Sequence, residues 1–286
     1  GDPAQERLAL KLMKIVISYI GIGLLSLFTN NLTSQTTLDY KNRIHSEISD
    51  EFMVVSQNHY ATEVGYEILE QGGNAVDAAV AMGFALAVTL PRAGNLGGGG
   101  FMLIYDAKTN KISTIDYRSA APKSATSQMY LTDTGVVRFG HLVNAVPGTV
   151  AGLIKAHREH GLLKLSQVMK PSIKLAQKGI KVSHDLNFVL NFGKQSMLEN
   201  PVSKAKFYDG EDPLKINSLF KQPKLAKTLR LISNKGGEVF YKGQIAKWIS
   251  EDSLKNGGLI TMADLAAYEA KERLPIETTY RGYKVV

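Results

Sequence analysis

Residues 72–106 read GGNAVDAAVAMGFALAVTLPRAGNLGGGGFMLIYD, and the order of the parts decides the kind of fold. Gly72-Gly73 ends one helical pattern as a C-cap should, and Asn74 is a good N-cap for the next. Asp77 puts a negative charge in the first turns, where the helix dipole favours it. The helix itself, AVDAAVAMGFALAVTL, is alanine-rich and apolar nearly all round, so it belongs between layers rather than at a surface. Pro91 closes it. Four consecutive glycines follow, Gly97, Gly98, Gly99 and Gly100. Two strand-like runs come next, FMLIYD and KISTIDYR, separated by AKTN as in a hairpin. A buried helix passing into a hairpin predicts a mixed α/β (α+β) fold.

Glycine loses more backbone freedom on folding than any other residue, so four in a row need a reason. A phosphate-binding loop requires a strand, then glycines, then a helix N-terminus aimed at the anion. Here the helix comes first, GNLGGGG does not satisfy GxGxxG, and no Lys-Ser/Thr pair follows Gly100. The surviving reading is that Gly97–Gly100 let the buried helix turn into a central strand with another backbone almost in contact.

Outward from this stretch, 286 residues can bury a real core, and an apolar fraction of 44% with 21% charged is ordinary for a globular protein. The net charge of +8 comes from scattered Lys and Arg, with no basic stripe interleaved with aromatics, so nucleic acid is not expected as a partner. With no cysteine, disulfides, thiolate metal sites and a Cys nucleophile are excluded. At the N-terminus, Lys11 and Lys14 flank IVISYIGIGLLSLF at 15–28, too short for a membrane span of about 18–20 residues. Residues 1–34 therefore predict a signal peptide with upstream residues, or alternatively an uncleaved N-terminal anchor, and an exported protein, periplasmic or secreted. Residues 35–50 read as a polar tether. FMVVSQ at 52–57 has strand character, and residues 61–70 carry a helical spacing of Val64, Ile68 and Leu69. From Pro147 to about residue 270 helical periodicity dominates, a helical lobe with loops expected at 196–213 and 235–237. Thr261 and Asp264 form a capping-box pattern. IETTYRGYKVV then looks like strands that stop at Val286 without a turn or polar tail, as though the sequence were cut.

The six histidines form no HxH or HExxH pattern, so no metal is expected; nor is there a G-x-S-x-G elbow. Arg118, in IDYRSAAP, stands where a strand turns, beside the strand that leaves the glycines. A guanidinium there can clamp a carboxylate through two parallel hydrogen bonds, which Lys cannot reproduce; an ordinary ion pair is the alternative.

Several segments together, residues 72–106, IDYRSAAP, VPGTVAG, FYKGQIAKWI, NGGLITMADLAAYEA and YRGYKV, resemble the large-subunit part of gamma-glutamyltranspeptidases, from about Met53 to Val286. The resemblance implies an N-terminal-nucleophile hydrolase fold, a four-layer αββα sandwich, present here only in part. It implies a precursor that cleaves itself, exposing a threonine at the small subunit's N-terminus. That threonine attacks the gamma-glutamyl amide, usually of glutathione, with its own alpha-amine as base; water or an amino-acid acceptor resolves the gamma-glutamyl-enzyme. No cofactor is implied. In the family's D-[FY]-R segment the arginine binds the substrate's alpha-carboxylate, which is Arg118 here. The nucleophile is expected beyond Val286, because Thr37, Thr62 and Thr149 do not match the processing site. On this reading the chain has substrate-positioning parts, needs the small subunit of the same precursor, and is inactive alone. A capsule-type poly-gamma-glutamate transpeptidase and a non-catalytic exported scaffold are the alternatives.

Overall fold

Asn58 starts the first helix by accepting a hydrogen bond from Tyr60 N at 3.1 Å. The computed structural model describes residues 48–132, 135–137 and 139–286; the expected signal peptide or anchor at 1–34 and most of the tether lie outside the described residues. Helix α1 (His59–Glu70) buries Ala61, Val64, Gly65 and Ile68. Gly72, at a φ of +85° that favours glycine, ends it with Gly73 N bonded to Ile68 O at 3.0 Å. Helix α2 (Ala75–Thr89) opens with the capping box expected from Asn74 and Asp77. Val80, Ala81, Phe84, Ala85 and Val88 are fully buried along it, so a helix apolar all round does sit inside the molecule.

Asp77 does more than cap. It is fully buried, and its Oδ2 accepts from Asn74 N at 3.1 Å, Leu162 N at 2.9 Å and Leu163 N at 3.3 Å. One carboxylate thus ties the start of α2 to the loop between α3 (Thr149–His160) and α4 (Leu165–Lys178). Asn74 Nδ2 adds a bond to His160 O at 2.6 Å.

The hairpin forms as expected. Strands β1 (Phe101–Asp106) and β2 (Lys111–Asp116) pair antiparallel from Phe101↔Asp116 to Asp106↔Lys111, with Asn110 at φ 52° in the turn. Strand β3 (Lys271–Arg273) adds to the other side of β2, giving the order β1-β2-β3. Among the described residues β1 is therefore an edge strand, not the central strand expected of the run after the glycines; the return strand β2 takes that place because β3 pairs with it. One face of the sheet, through Met102, Ile104 and Ile115, joins the main core. On the other face Phe101, Leu103 and Tyr105 are 61%, 53% and 60% exposed. Helices cover one side only, so two of the four expected layers are present among the described residues.

Helix α4 packs between α2 and the helix Pro223–Lys235. Ser172 Oγ donates to Ala81 O at 3.3 Å. Gln222, next to that third helix, sends its Nε2 to Val88 O at 2.7 Å. A smaller cluster of Ile180, Val182, Leu186, Leu190, Tyr208 and Phe220 forms under α5 (His184–Phe192). The expected loop at 196–213 is instead largely helical. Asn200 accepts from Val202 N and Ser203 N at 3.0 Å each and starts α6 (Pro201–Phe207), with Pro201 in the first turn. Helices α7 (Pro223–Lys235) and α8 (Gln244–Lys255) follow, and Gly236 at φ 69° makes the expected turn after α7. The strand expected at 52–57 is extended, with Phe52, Val54 and Ser56 half-buried while Met53, Val55 and Gln57 are exposed. It pairs with no strand among the described residues, so the alternation is real and the ladder is missing. The last residues form hairpin β4 (Thr278–Tyr280) and β5 (Tyr283–Val285), turning at Arg281 and Gly282, both at positive φ. No helix among the described residues is long and apolar enough to cross a membrane.

Asp77→Ala removes the acceptor for three backbone amides, two of them in another element. It is expected to lower stability by about 2–4 kcal/mol in urea unfolding; a loss below about 0.5 kcal/mol would show that water or neighbouring groups replace the carboxylate.

Candidate functional site

The glycine run ends against the strand that carries Arg118. Beyond β1 and β2 the ladder continues one step, with Tyr117 N bonded to Gly100 O at 2.9 Å and Gly100 N to Tyr117 O at 3.2 Å. None of the four glycines has positive φ, so turn conformation is not their purpose. A Cβ on Gly99 would lie 2.5 Å from Tyr117 O and 2.9 Å from Arg118 C. One on Gly100 would meet the Tyr117 ring at 2.9 Å. Gly98 contributes its carbonyl, which accepts from Gly148 N at 2.7 Å and Thr149 N at 3.0 Å. At Gly97 a Cβ would meet only Asn95 Oδ1, at an ordinary 3.5 Å.

Arg118 stands two residues past β2 with both flanking peptide groups held. Its N donates to Asp116 Oδ1 at 3.0 Å and its O accepts from the Tyr268 hydroxyl at 2.8 Å. The side chain is exposed and makes no ion pair among the described residues. The nearest carboxylate in sequence, Asp116, is already engaged: besides Arg118 N it takes Arg273 Nε at 3.1 Å. The amide of Arg118 and then the Arg273 guanidinium hold Asp116 below the ordinary carboxylate range. This leaves the Arg118 guanidinium available to an outside anion. It lines a cleft of about 310 Å³ shared with Asp116, Ser119, Tyr268, Glu269 and Lys271.

Two tyrosines frame this turn. The Tyr117 ring lies over Gly152 and its hydroxyl donates to Phe101 O at 3.3 Å. Tyr268 stacks on Tyr241 at 5.6 Å between ring centroids, 13° from parallel. The Tyr241 hydroxyl donates to Pro147 O at 2.8 Å and accepts from Ala151 N at 3.1 Å. Burial pushes Tyr268 up to about 12, with the charge of Asp116 adding to it, so its hydroxyl stays a donor throughout the neutral range.

The structure thus sets Gly99 against Arg118, pairs Gly100 with Tyr117 and Gly98 with the start of α3, and leaves Gly97 without a close contact. Sequence reasoning missed Asp116, Tyr117, Gly148, Gly152 and Tyr268. Gly148 and Gly152, four apart at the start of α3, were a readable sign of close approach; nothing local marks Tyr268, which meets Arg118 from 150 residues away. Among the described residues no three His, Asp or Glu side chains gather as metal ligands would.

A family model described as gamma-glutamyltranspeptidase matches residues 61–286. The glutathione hydrolase proenzyme of Escherichia coli (strain K12) is 47% identical over 239 residues, 82% of this chain and 41% of that protein. That of Bacillus subtilis (strain 168) is 39% identical over 245 residues, 84% of this chain and 42% of that protein. The solved gamma-glutamyltranspeptidase of Helicobacter pylori superposes with a TM-score of 0.81 at 42% identity, covering 84% of this chain and 70% of that one. The Bacillus anthracis transpeptidase CapD does so with a TM-score of 0.70 at 30% identity, covering 83% and 75%. The chain spans about two fifths of the length of the curated relatives it matches.

Gly99→Ala is expected to cost about 1–3 kcal/mol, because backbone on both sides must move, while Gly97→Ala changes stability by less than about 0.5 kcal/mol. Equal losses in thermal unfolding would contradict the division of the run. Asp116, with its pKa lowered on folding, contributes stability above the ordinary carboxylate range and loses it as pH falls through the lowered value. In acid unfolding, Asp116→Asn should therefore flatten the stability curve below about pH 4; an unchanged curve would mean that Asp116 is not linked to folding.

Proposed function

The chain belongs to the gamma-glutamyltranspeptidase family and has the N-terminal-nucleophile hydrolase fold, and on that premise we propose that it is the donor-binding portion of an exported gamma-glutamyltransferase/glutathione hydrolase. The observation that carries this reading is the Arg118 guanidinium, unpaired among the described residues, at the wall of a cleft where the neighbouring Asp116 carboxylate is already engaged by the Arg118 amide and Arg273. A bidentate pair with the alpha-carboxylate of a gamma-glutamyl donor suits that vacancy. The donor's gamma-amide carbon is then held at a fixed reach from Arg118, where a threonine supplied from beyond Val286 attacks it.

In this account the threonine hydroxyl loses its proton to the free alpha-amine at its own chain terminus, directly or through water. The new ester forms as the amide nitrogen leaves with a proton, and water or an amino acid then takes the gamma-glutamyl group. Glutathione is the donor proposed. The small subunit of the same precursor covers the open face of the sheet, where Phe101, Leu103 and Tyr105 are exposed. It also supports hairpin β4–β5, since an isolated two-stranded hairpin is marginal in water. A second reading, a transpeptidase that moves poly-gamma-glutamate onto another acceptor, is favoured by the similarity to CapD; it uses the same clamp and differs in acceptor.

Arg118→Ala in the complete gene product containing this chain is expected to raise KM for a gamma-glutamyl anilide through a loss of about 2–4 kcal/mol, on the order of tens to several hundred-fold. An unchanged KM would refute the clamp. Purified 1–286 alone should show no sustained turnover of the same anilide, and turnover would place the nucleophile within this chain.

A further inference from the structure

Arg118 has a long, flexible side chain, so a clamp built on it is only as well aimed as the backbone beneath it. Three separate contacts hold that backbone. Asp116 Oδ1 holds the Arg118 amide, Gly99 packs against the Tyr117–Ser119 backbone, and the Tyr268 hydroxyl holds the Arg118 carbonyl. The first two come from the hairpin and the glycine run that leads into it. The third reaches in from the far end of the chain and is not needed for any ladder.

The placement of Tyr268 is itself tightly determined. It follows the short helix Met262–Ala266, which the Thr261–Asp264 capping box starts. Asp264 Oδ1 also accepts from Lys123 N at 2.8 Å, so that helix is tied to the chain just downstream of Arg118 as well. The ring rests on Tyr241, which is anchored at both Pro147 and Ala151. The hydroxyl lies so close to Gly148 that any side chain there would displace it.

We propose that Tyr268 is a positioning residue for donor recognition: its hydroxyl, fixed by the Tyr241 stack and the bare backbone of Gly148, sets the Arg118 carbonyl and so aims the guanidinium into the cleft. This rests on the reading of Arg118 as the carboxylate clamp. Tyr268 lines the same cleft, but its hydroxyl is committed to the Arg118 carbonyl, so on this proposal it acts through Arg118 and its effect must vanish when Arg118 is gone.

The test is a double-mutant cycle in the complete gene product, with a gamma-glutamyl anilide as donor. Tyr268→Phe keeps the ring and the stack and removes only the hydroxyl. It is expected to raise KM about fivefold, as one neutral hydrogen bond allows, with kcat within about twofold. In the Arg118→Ala background the same change is expected to leave KM where it was. If Tyr268→Phe raises KM by the same factor in both backgrounds, its role is general support of the fold and the proposal fails. It fails equally if KM does not move in the wild-type background, or if Tyr268→Phe does not fold, since the hydroxyl then holds the protein rather than the clamp. If Arg118→Ala itself leaves KM unchanged, the clamp reading falls and takes this one with it, which separates the two failures.

Discussion

The rest of the structure depends on one close approach, that of Gly99 and Gly100 to the backbone of Tyr117–Ser119. On one side lies the exit from α2, on the other the end of β2. A single methyl at Gly99 would separate them. Because they touch, the hairpin closes directly under the buried helix, and the carbonyl of Gly98 is placed to take the first two amides around the start of α3. The segment carrying Arg118 is therefore enclosed by α3, the glycine run and its own strand before any side chain has been considered. Interiors packed at this density do not adjust gradually, which is why a position set by backbone contact can serve recognition.

The second constraint is electrostatic. An arginine two residues from an aspartate would ordinarily be read as half of an ion pair. Here the aspartate is occupied by the arginine's own amide and by Arg273 from β3. β3 thus has two effects: it adds a strand to the sheet on that side and engages Asp116, the carboxylate nearest in sequence to the Arg118 guanidinium. Asp77 plays a comparable part at the other end of α2, where one buried carboxylate serves amides from two elements. Both carboxylates organise the backbone around them, and neither is offered to a ligand.

The open face of the sheet fits the same account. Strands whose apolar residues alternate between a packed side and a bare side expect a second layer. Phe101, Leu103 and Tyr105, the unpaired extended segment at 52–57 and the hairpin β4–β5 all present surface that nothing among the described residues covers. That pattern agrees with a chain spanning about two fifths of its relatives.

Much of this was written locally. Caps at Asn74 and Thr261, the apolar circumference of α2 and the hairpin turn follow from spacing and composition, because each involves residues within a few turns of one another along one segment. The region at 196–213 was misread because its polar, turn-rich composition hides the Asn200-Pro201 helix start, and 52–57 because alternation signals an extended chain without saying whether a partner exists. The position of Arg118 at a strand end was legible; its freedom from an ion pair was not. That freedom depends on Arg273, which reaches Asp116 from 157 residues away. The sequence by itself determined the buried helix α2, the hairpin β1–β2 and that a guanidinium would stand at the turn after β2. Only the tertiary structure decided which carboxylate that guanidinium would not pair with, because side chains distant along the chain compete for the same oxygens only once folding has brought them together.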